Sequence, residues 1–247
     1  MRDLFSLAGK VALVTGGSRG LGRQMVLAFA AAGADVVITS RKAEACEAVA
    51  KEVAALGRRA LAVSCHVGKW DRIDALVEAA YAEFGKVDVL VNNAGMSPLA
   101  PSSAQTSEEL FDKIVDVNFK GPFRLCALVG ERMAAGEGGS IVNVSSSGAL
   151  MPQPGFGPYS GAKAGLNALT QVFAREYAPK VRVNTISAGP FLTDISKAWS
   201  EQARRFTPSA VGRPGDPAEI VTTALYLASP ASSYTTASLI RVDGGLY

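Results

Sequence analysis

The chain has 247 residues, 48% hydrophobic and 19% charged, with a formal net charge of +3 at pH 7. That apolar share can build a sizeable core and excludes a disordered chain. So mild a charge, with no run of like sign, excludes a cationic nucleic-acid surface. The opening stretch "MRDLFSLAGKVALV" has an early acid and a lysine inside its apolar part, which makes a poor signal peptide. No apolar run approaches the roughly 18 residues of a membrane span. Cys46, Cys65 and Cys126 are far apart, without metal-ligand spacing, and read as reduced thiols of a cytoplasmic protein.

In chain order, "KVALVT" (10–15) predicts the first strand, and "LGRQMVLAFAAAG" (21–33) a helix closed by glycine. "ADVVIT" (34–39) and "RALAVSC" (59–65) predict the next two strands, followed by a helix in "DRIDALVEAAYAEFG" (71–85). "VDVLVN" (87–92), "SIVNVS" (140–145), "VRVNTI" (181–186) and "ASLIRV" (237–242) predict four more strands. Their unbroken hydrophobicity predicts burial on both faces, as in a parallel sheet covered by helices. The alternation predicts an α/β fold, Rossmann-like and doubly wound. No linker divides it, so the expectation is one domain over 1–247, with an irregular segment about 187–214.

Two local features point to a dinucleotide. In "VTGGSRGLG" (14–22), Gly16, Gly20 and Gly22 lie between a strand and a helix, where missing side chains let backbone approach a pyrophosphate. The spacing is G-x-x-x-G-x-G rather than the dinucleotide fingerprint G-x-G-x-x-G, and no Gly-Lys-Ser/Thr follows to make a triphosphate loop. At the end of the second strand an NAD site would place an acid on the ribose hydroxyl. Ser40 and Arg41 stand there instead, with Arg19 inside the glycine loop, and two guanidiniums favour a 2′-phosphate. The expectation is NADP(H), preferred over NAD(H).

"TGGSRGLG", "NNAG" (92–95) and Tyr159-x-x-x-Lys163 in "GPYSGAKAG" follow in order. With them the chain resembles the short-chain dehydrogenase/reductase family over essentially its whole length. The resemblance implies a seven-stranded parallel sheet, a nicotinamide cofactor and interconversion of alcohols and carbonyls. It further implies a catalytic set of Asn118, Ser146, Tyr159 and Lys163, with Ser146 preferred over Ser145 and Ser147 by its spacing from Tyr159. Residues four apart on a helix share a face, so Tyr159 and Lys163 can point into one cleft. The resemblance gives Lys163 the nicotinamide ribose and Asn118 a water in a proton relay. The lysine charge, with that of the oxidised nicotinamide, is expected to lower the Tyr159 pKa, making the phenol a general acid or base without any histidine, while Ser146 bonds the substrate oxygen. The cofactor contacts so implied are Gly16, Ser18, Arg19, Gly20, Leu21, Gly22, Ser40, Arg41, His66, Val67, Asn93, Ala94, Gly95, Tyr159, Lys163, Gly189, Phe191 and Thr193.

The sequence departs from the family pattern twice. His66 stands where an aspartate commonly faces the adenine, and Ala188 replaces the proline of a Pro-Gly pair, which predicts a looser loop after the sixth strand. Phe191, Leu192, Ile195, Trp199 and Phe206 fall where the family builds its substrate lid, favouring an apolar small-molecule carbonyl or alcohol. Reduction of 3-oxoacyl groups on acyl carrier protein would want a basic docking patch, for which Arg132, Arg175 and Lys180 are available. Sugar or polyol oxidation and a non-catalytic NADP(H)-binding regulator are the other readings; a methyltransferase would want an acid where Ser40 and Arg41 stand. Family resemblance also implies a homo-oligomer, a tetramer, with no membrane or nucleic-acid partner.

Overall fold

The computed structural model describes residues 4–246, except the side chains of Ile195 and Ala198. Residues 1–3 of the stretch read against a signal peptide lie outside the described residues, as does residue 247. Seven strands form one parallel sheet in the order β3-β2-β1-β4-β5-β6-β7. They are β1 (Val11–Thr15), β2 (Asp35–Ser40), β3 (Ala60–Ser64), β4 (Val89–Asn92), β5 (Gly139–Ser146), β6 (Val181–Ala188) and β7 (Leu239–Val242). Chain order reverses between β1 and β4, and this switch point opens a crevice at the carboxyl ends of the strands.

The period of two buries both faces of β1, β2, β4, β5 and β6, while the edge strands β3 and β7 stay partly exposed, unlike the expectation from their apolar runs. Ala12 and Val14 pack with one apolar cluster, Val11 and Leu13 with the other, and β4 repeats the division with Val89 and Val91 against Leu90. Helices α1 (Gly20–Ala31) and α2 (Ala43–Ala55) cover the first face through Met25, Phe29 and Val49. Helices α3 (Trp70–Phe84), α5 (Gly121–Ala135) and α6 (Gly157–Glu176) cover the second through Leu76, Leu125 and Phe173. The short helix α4 (Glu108–Val115) precedes α5, and α7 (Glu201–Arg205) and α8 (Val221–Ala228) follow β6. Gly85 closes α3 in the left-handed conformation that its missing Cβ allows.

Between α4 and α5 the chain makes a π-helical turn, Asp116–Lys120, in which the Gly121 amide donates to the Asp116 carbonyl five residues back. A side chain at Gly121 would strike the Val67 carbonyl, so glycine lets α5 begin against the loop after β3. The wider register turns Asn118 inward, where it is fully buried.

At the amino ends of the central strands Asp88 joins β1 to β4. Its carboxylate accepts from the Val11 amide at 2.9 Å and from Lys10 and Lys86 at 3.0 Å each. Burial pushes the carboxyl up, but those three partners outweigh it and hold Asp88 below the ordinary carboxylate value. Its stabilising contribution is therefore present above the unfolded pKa near ~4 and is lost as pH falls through the folded value. Asp88→Asn should cost about 1–3 kcal/mol at neutral pH. In urea unfolding, the gap between wild type and variant should close as pH drops below about 4; a gap constant with pH would contradict the ionic role.

Candidate active site

The crevice is walled by the loop after β1 and the loop after β4, and one buried hydroxyl joins them. Thr15 ends β1, and its Oγ1 accepts from the Asn93 and Ala94 amides at 3.0 Å each. The Asn93 side-chain amide donates to the Thr15 carbonyl at 2.9 Å and the Gly16 carbonyl at 3.3 Å. Asn93 thus holds the glycine loop in place rather than offering a free amide. Gly16 and Gly20 both have positive φ, +64° and +52°. A side chain at Gly22 would run into the Gly16 carbonyl, so the turn closes only around glycine. Arg19 caps α1 without a side-chain bond and no acid occupies its first turn, which leaves amides at a positive helix end. Ser18 is half-buried in the loop and Leu21 packs on the apolar core beneath it.

Around this cradle stand the other residues expected to meet a dinucleotide. Arg41 is exposed at the end of β2, and the Ser40 hydroxyl donates to the Lys42 carbonyl and touches Cys46 Sγ. Arg19 is also exposed, 3.6 Å from the Asp194 carboxylate. The His66 Nδ1 accepts from the Gly68 amide and so shapes its own turn; the Val67 side chain is in the core. The Thr193 side chain would lie 3.4 Å from a Cβ on Gly20, bringing the segment after β6 over the glycine loop.

Two expectations need correction. The Phe191 ring is buried in the main apolar cluster and fills the space left by Gly215, so it is core rather than lid. The loop after Ala188 is not loose: Ala188 pairs with Val242 in the sheet, and the Gly189 amide donates to the Val242 carbonyl at 3.0 Å. Leu192 and Phe206 are exposed in that segment and Trp199 is half-buried, while the Ile195 side chain lies outside the described residues. In the protein alone, burial raises the Tyr159 phenol pKa and the Ser146 hydroxyl lowers it.

The four residues of the expected catalytic set come from three elements. Ser146 ends β5, and its Oγ accepts from the Gly148 amide at 3.0 Å while meeting the Tyr159 hydroxyl. Ser145, by contrast, is buried and donates to the Lys163 carbonyl. Tyr159 and Lys163 lie one turn apart on α6. Lys163 is 3% exposed, its Nζ donates to the Val144 carbonyl at 2.8 Å, and burial pushes its pKa down to about 8. Among the described residues no carboxylate pairs with it. Asn118 donates to the Met96 carbonyl at 2.8 Å and the Ile114 carbonyl at 2.9 Å, and accepts from the Met96 amide. Its amide thus grips the turn after Gly95. A Cβ on Gly95 would lie 3.0 Å from Asn118 Oδ1 and 3.5 Å from Lys163 Nζ. Thr15 and Phe156, whose ring lies 6.4 Å from that of Tyr159, escaped the sequence reading. A polar residue ending an apolar strand was the only available signal for Thr15.

A glycine-cradled helix start at the switch point of a parallel sheet defines a dinucleotide-binding α/β protein. A family model described as short chain dehydrogenase matches residues 10–204. The 3-oxoacyl-acyl-carrier-protein reductase FabG of Thermotoga maritima is 37% identical over 97% of this chain and 98% of its own. Among solved structures, NADPH-dependent 3-quinuclidinone reductase from Rhodotorula rubra superposes with a TM-score of 0.93. It is 31% identical and the match covers 98% of this chain and 93% of that one. A 7α-hydroxysteroid dehydrogenase complexed with NADH and 7-oxo glycochenodeoxycholic acid gives 0.94 at 32% identity, covering 99% and 97%. The chain belongs to the short-chain dehydrogenase/reductase family of nicotinamide-binding oxidoreductases.

The Lys163 environment has a measurable consequence. Its folded pKa near 8 lies below the ordinary 10.5, so the unfolded chain binds more protons between those values. Stability supplied by this site must rise with pH across that window. Lys163→Met should abolish the rise: urea unfolding at both ends of the window should show wild type gaining on the variant as pH increases. A difference that does not change with pH would put the ammonium in water.

Proposed function

We propose that the protein is an NADP(H)-dependent oxidoreductase that reduces a small-molecule carbonyl compound to an alcohol, with Tyr159 as proton donor. The observation carrying this reading is that Ser146 at the end of β5 meets Tyr159, one turn of α6 before a buried Lys163 with no carboxylate partner among the described residues. The glycine cradle fits a dinucleotide, since the loop closes tightly only with glycine at position 22 and no acid occupies the first turn of α1. When bound, the nicotinamide supplies the hydride for the carbonyl carbon.

Tyr159 gives its proton to the carbonyl oxygen as negative charge develops there, and the Ser146 hydroxyl donates a hydrogen bond to the same atom. Lys163 holds the ribose hydroxyls and lends positive charge behind the phenol. Asn118 acts by fixing the Gly95–Met96 turn beside that lysine. Gly189 and Thr193 border the nicotinamide end, and Ala94, His66 and Val67 the adenine side.

Arg19 and Arg41, both exposed, with no acid at the end of β2, support NADP(H) over NAD(H). Asp194 competes for Arg19 and tempers that preference. A second reading, reduction of carrier-bound 3-oxoacyl groups, is favoured by the Thermotoga relative. Against it, Arg132 is already paired with Glu78, which leaves exposed Arg175 and Lys180, the latter bonded to the Gly136 carbonyl, to dock an acidic carrier. Exposed Phe111, Phe123 and Val172, on α4, α5 and α6, support assembly as a homo-oligomer, a tetramer by family resemblance. No helix among the described residues is long and apolar enough to cross a membrane, and we place the protein in the cytoplasm.

Tyr159→Phe should lower kcat by about 10²–10⁴-fold, while fluorescence titration should find NADPH affinity retained. Near-normal turnover would remove Tyr159 from proton transfer. Arg41→Asp should weaken NADPH relative to NADH by about 10–100-fold, the worth of one charge-assisted contact. Unchanged preference in parallel titrations would refute the assignment of the 2′-phosphate.

A further inference from the structure

The segment after β6 is fastened at both ends. At its start the Leu192 amide donates to the Gly215 carbonyl and the Gly215 amide to the Pro190 carbonyl, each at 2.9 Å. At its end the Ala210 and Val211 amides donate to the Gly245 and Gly244 carbonyls at 3.0 Å each. Between these clamps the chain leans on the glycine loop. Thr193 stands over Gly20, and Asp194 opens a short helical turn, Asp194–Ala198, with its carboxylate 3.6 Å from Arg19. Among the described residues, that is the one ion pair joining residues 193–206 to the rest of the chain. The other Asp194 oxygen takes Lys197 at 2.6 Å. The hydrogen bond and charge of Lys197, and less strongly the charge of Arg19, hold the carboxyl below its ordinary value, so it is an anion at neutral pH. One carboxylate is thus shared by two cations, one on its own turn and one on the glycine loop.

We infer that Asp194 couples the choice of cofactor to the docking of residues 193–206: it holds Arg19 while the adenosine ribose is unphosphorylated and yields it to a 2′-phosphate. This deepens the proposed function and rests on its assignment of Arg19 to that phosphate. Arg19 is solvent-exposed and caps α1 without a side-chain bond, so its guanidinium can turn from one anion to another with little packing to undo. A phosphate carries more charge than a carboxylate and meets a guanidinium in the same forked geometry, so it wins the exchange. NADH offers no such anion, and the ion pair stays. The coupling is reciprocal: whatever affinity for NADPH is lost to Asp194 reappears as loosening of the segment when NADPH binds. Lys197 sets the size of the effect, since it draws the Asp194 carboxylate away from Arg19.

Fluorescence titration of the purified full chain with NADPH and with NADH gives the affinity ratio that tests this. Asp194→Asn should raise the preference for NADPH about threefold, the scale of one exposed ion pair. Lys197→Gln should move it the opposite way by a similar factor, and both effects should vanish when Arg19→Gln is added. At saturating cofactor, hydrogen exchange of residues 193–206 should be faster in the NADPH complex of the wild type than in its NADH complex, and equal in the two complexes of Asp194→Asn. An unchanged ratio in Asp194→Asn, a rise on Lys197→Gln, or equal exchange in the two wild-type complexes would overturn the inference. So would an effect that survives Arg19→Gln, since the carboxylate would then act on the phosphate directly. If Arg19→Gln alone leaves NADPH affinity untouched, the 2′-phosphate does not meet Arg19, and that assignment falls together with the inference. If Arg19→Gln weakens NADPH while Asp194→Asn changes nothing, only the inference falls.

Discussion

A lysine ammonium buried without a carboxylate is the constraint around which the site is arranged. Desolvating such a cation costs several kcal/mol even after relaxation, so a fold keeps it only where other interactions over-determine its place. Here the Val144 carbonyl receives one N–H, the Ser145 hydroxyl bonds the lysine's own carbonyl, and Gly95 leaves the space above Nζ unfilled. A carboxylate partner would have relieved the strain and removed the charge from use. Leaving it unpaired depresses its pKa and keeps its positive field available to whatever lies over α6.

The sheet topology supplies the remaining order. Because β1 pairs directly with β4, two loops distant in sequence become neighbours, and Thr15 can tie them with a single hydroxyl. Because β4 pairs with β5, Asn92 meets Asn143 at 2.8 Å in the core and Ser146 emerges at the same edge of the sheet. The π turn answers a different need. An ordinary helical register cannot both begin α5 against Val67 and aim Asn118 at Met96, and the extra residue per turn reconciles the two.

Strand positions were legible because a parallel sheet buried on both faces leaves unbroken apolar runs, and each of the seven runs matches an observed strand to within about two residues. The glycine loop was legible for the same reason that it works: only glycine tolerates the backbone at Gly16 and Gly20. What did not read out was whatever depends on which group a side chain chooses. Asn93 and Asn118 bear amides that could face a ligand, and packing turned both onto backbone. Phe191 carries the same apolar signal whether it lines a lid or plugs the gap beside Gly215. The Tyr159 pKa could not be read from spacing either, since i to i+4 proximity to a lysine says nothing of how far burial opposes it.

Charge is divided unevenly across the cleft, and the division has a physical logic. At the glycine-loop end stand Arg19, Arg41 and an uncapped helix start, all suited to phosphates. At the other end, residues 94–107 and 138–158 beside Tyr159 carry no ionisable side chain, while Asp194 and Lys197 stand paired in the segment after β6. On the proposed reading, few fixed charges then compete with Lys163 for a substrate oxygen held beside Ser146 and Tyr159.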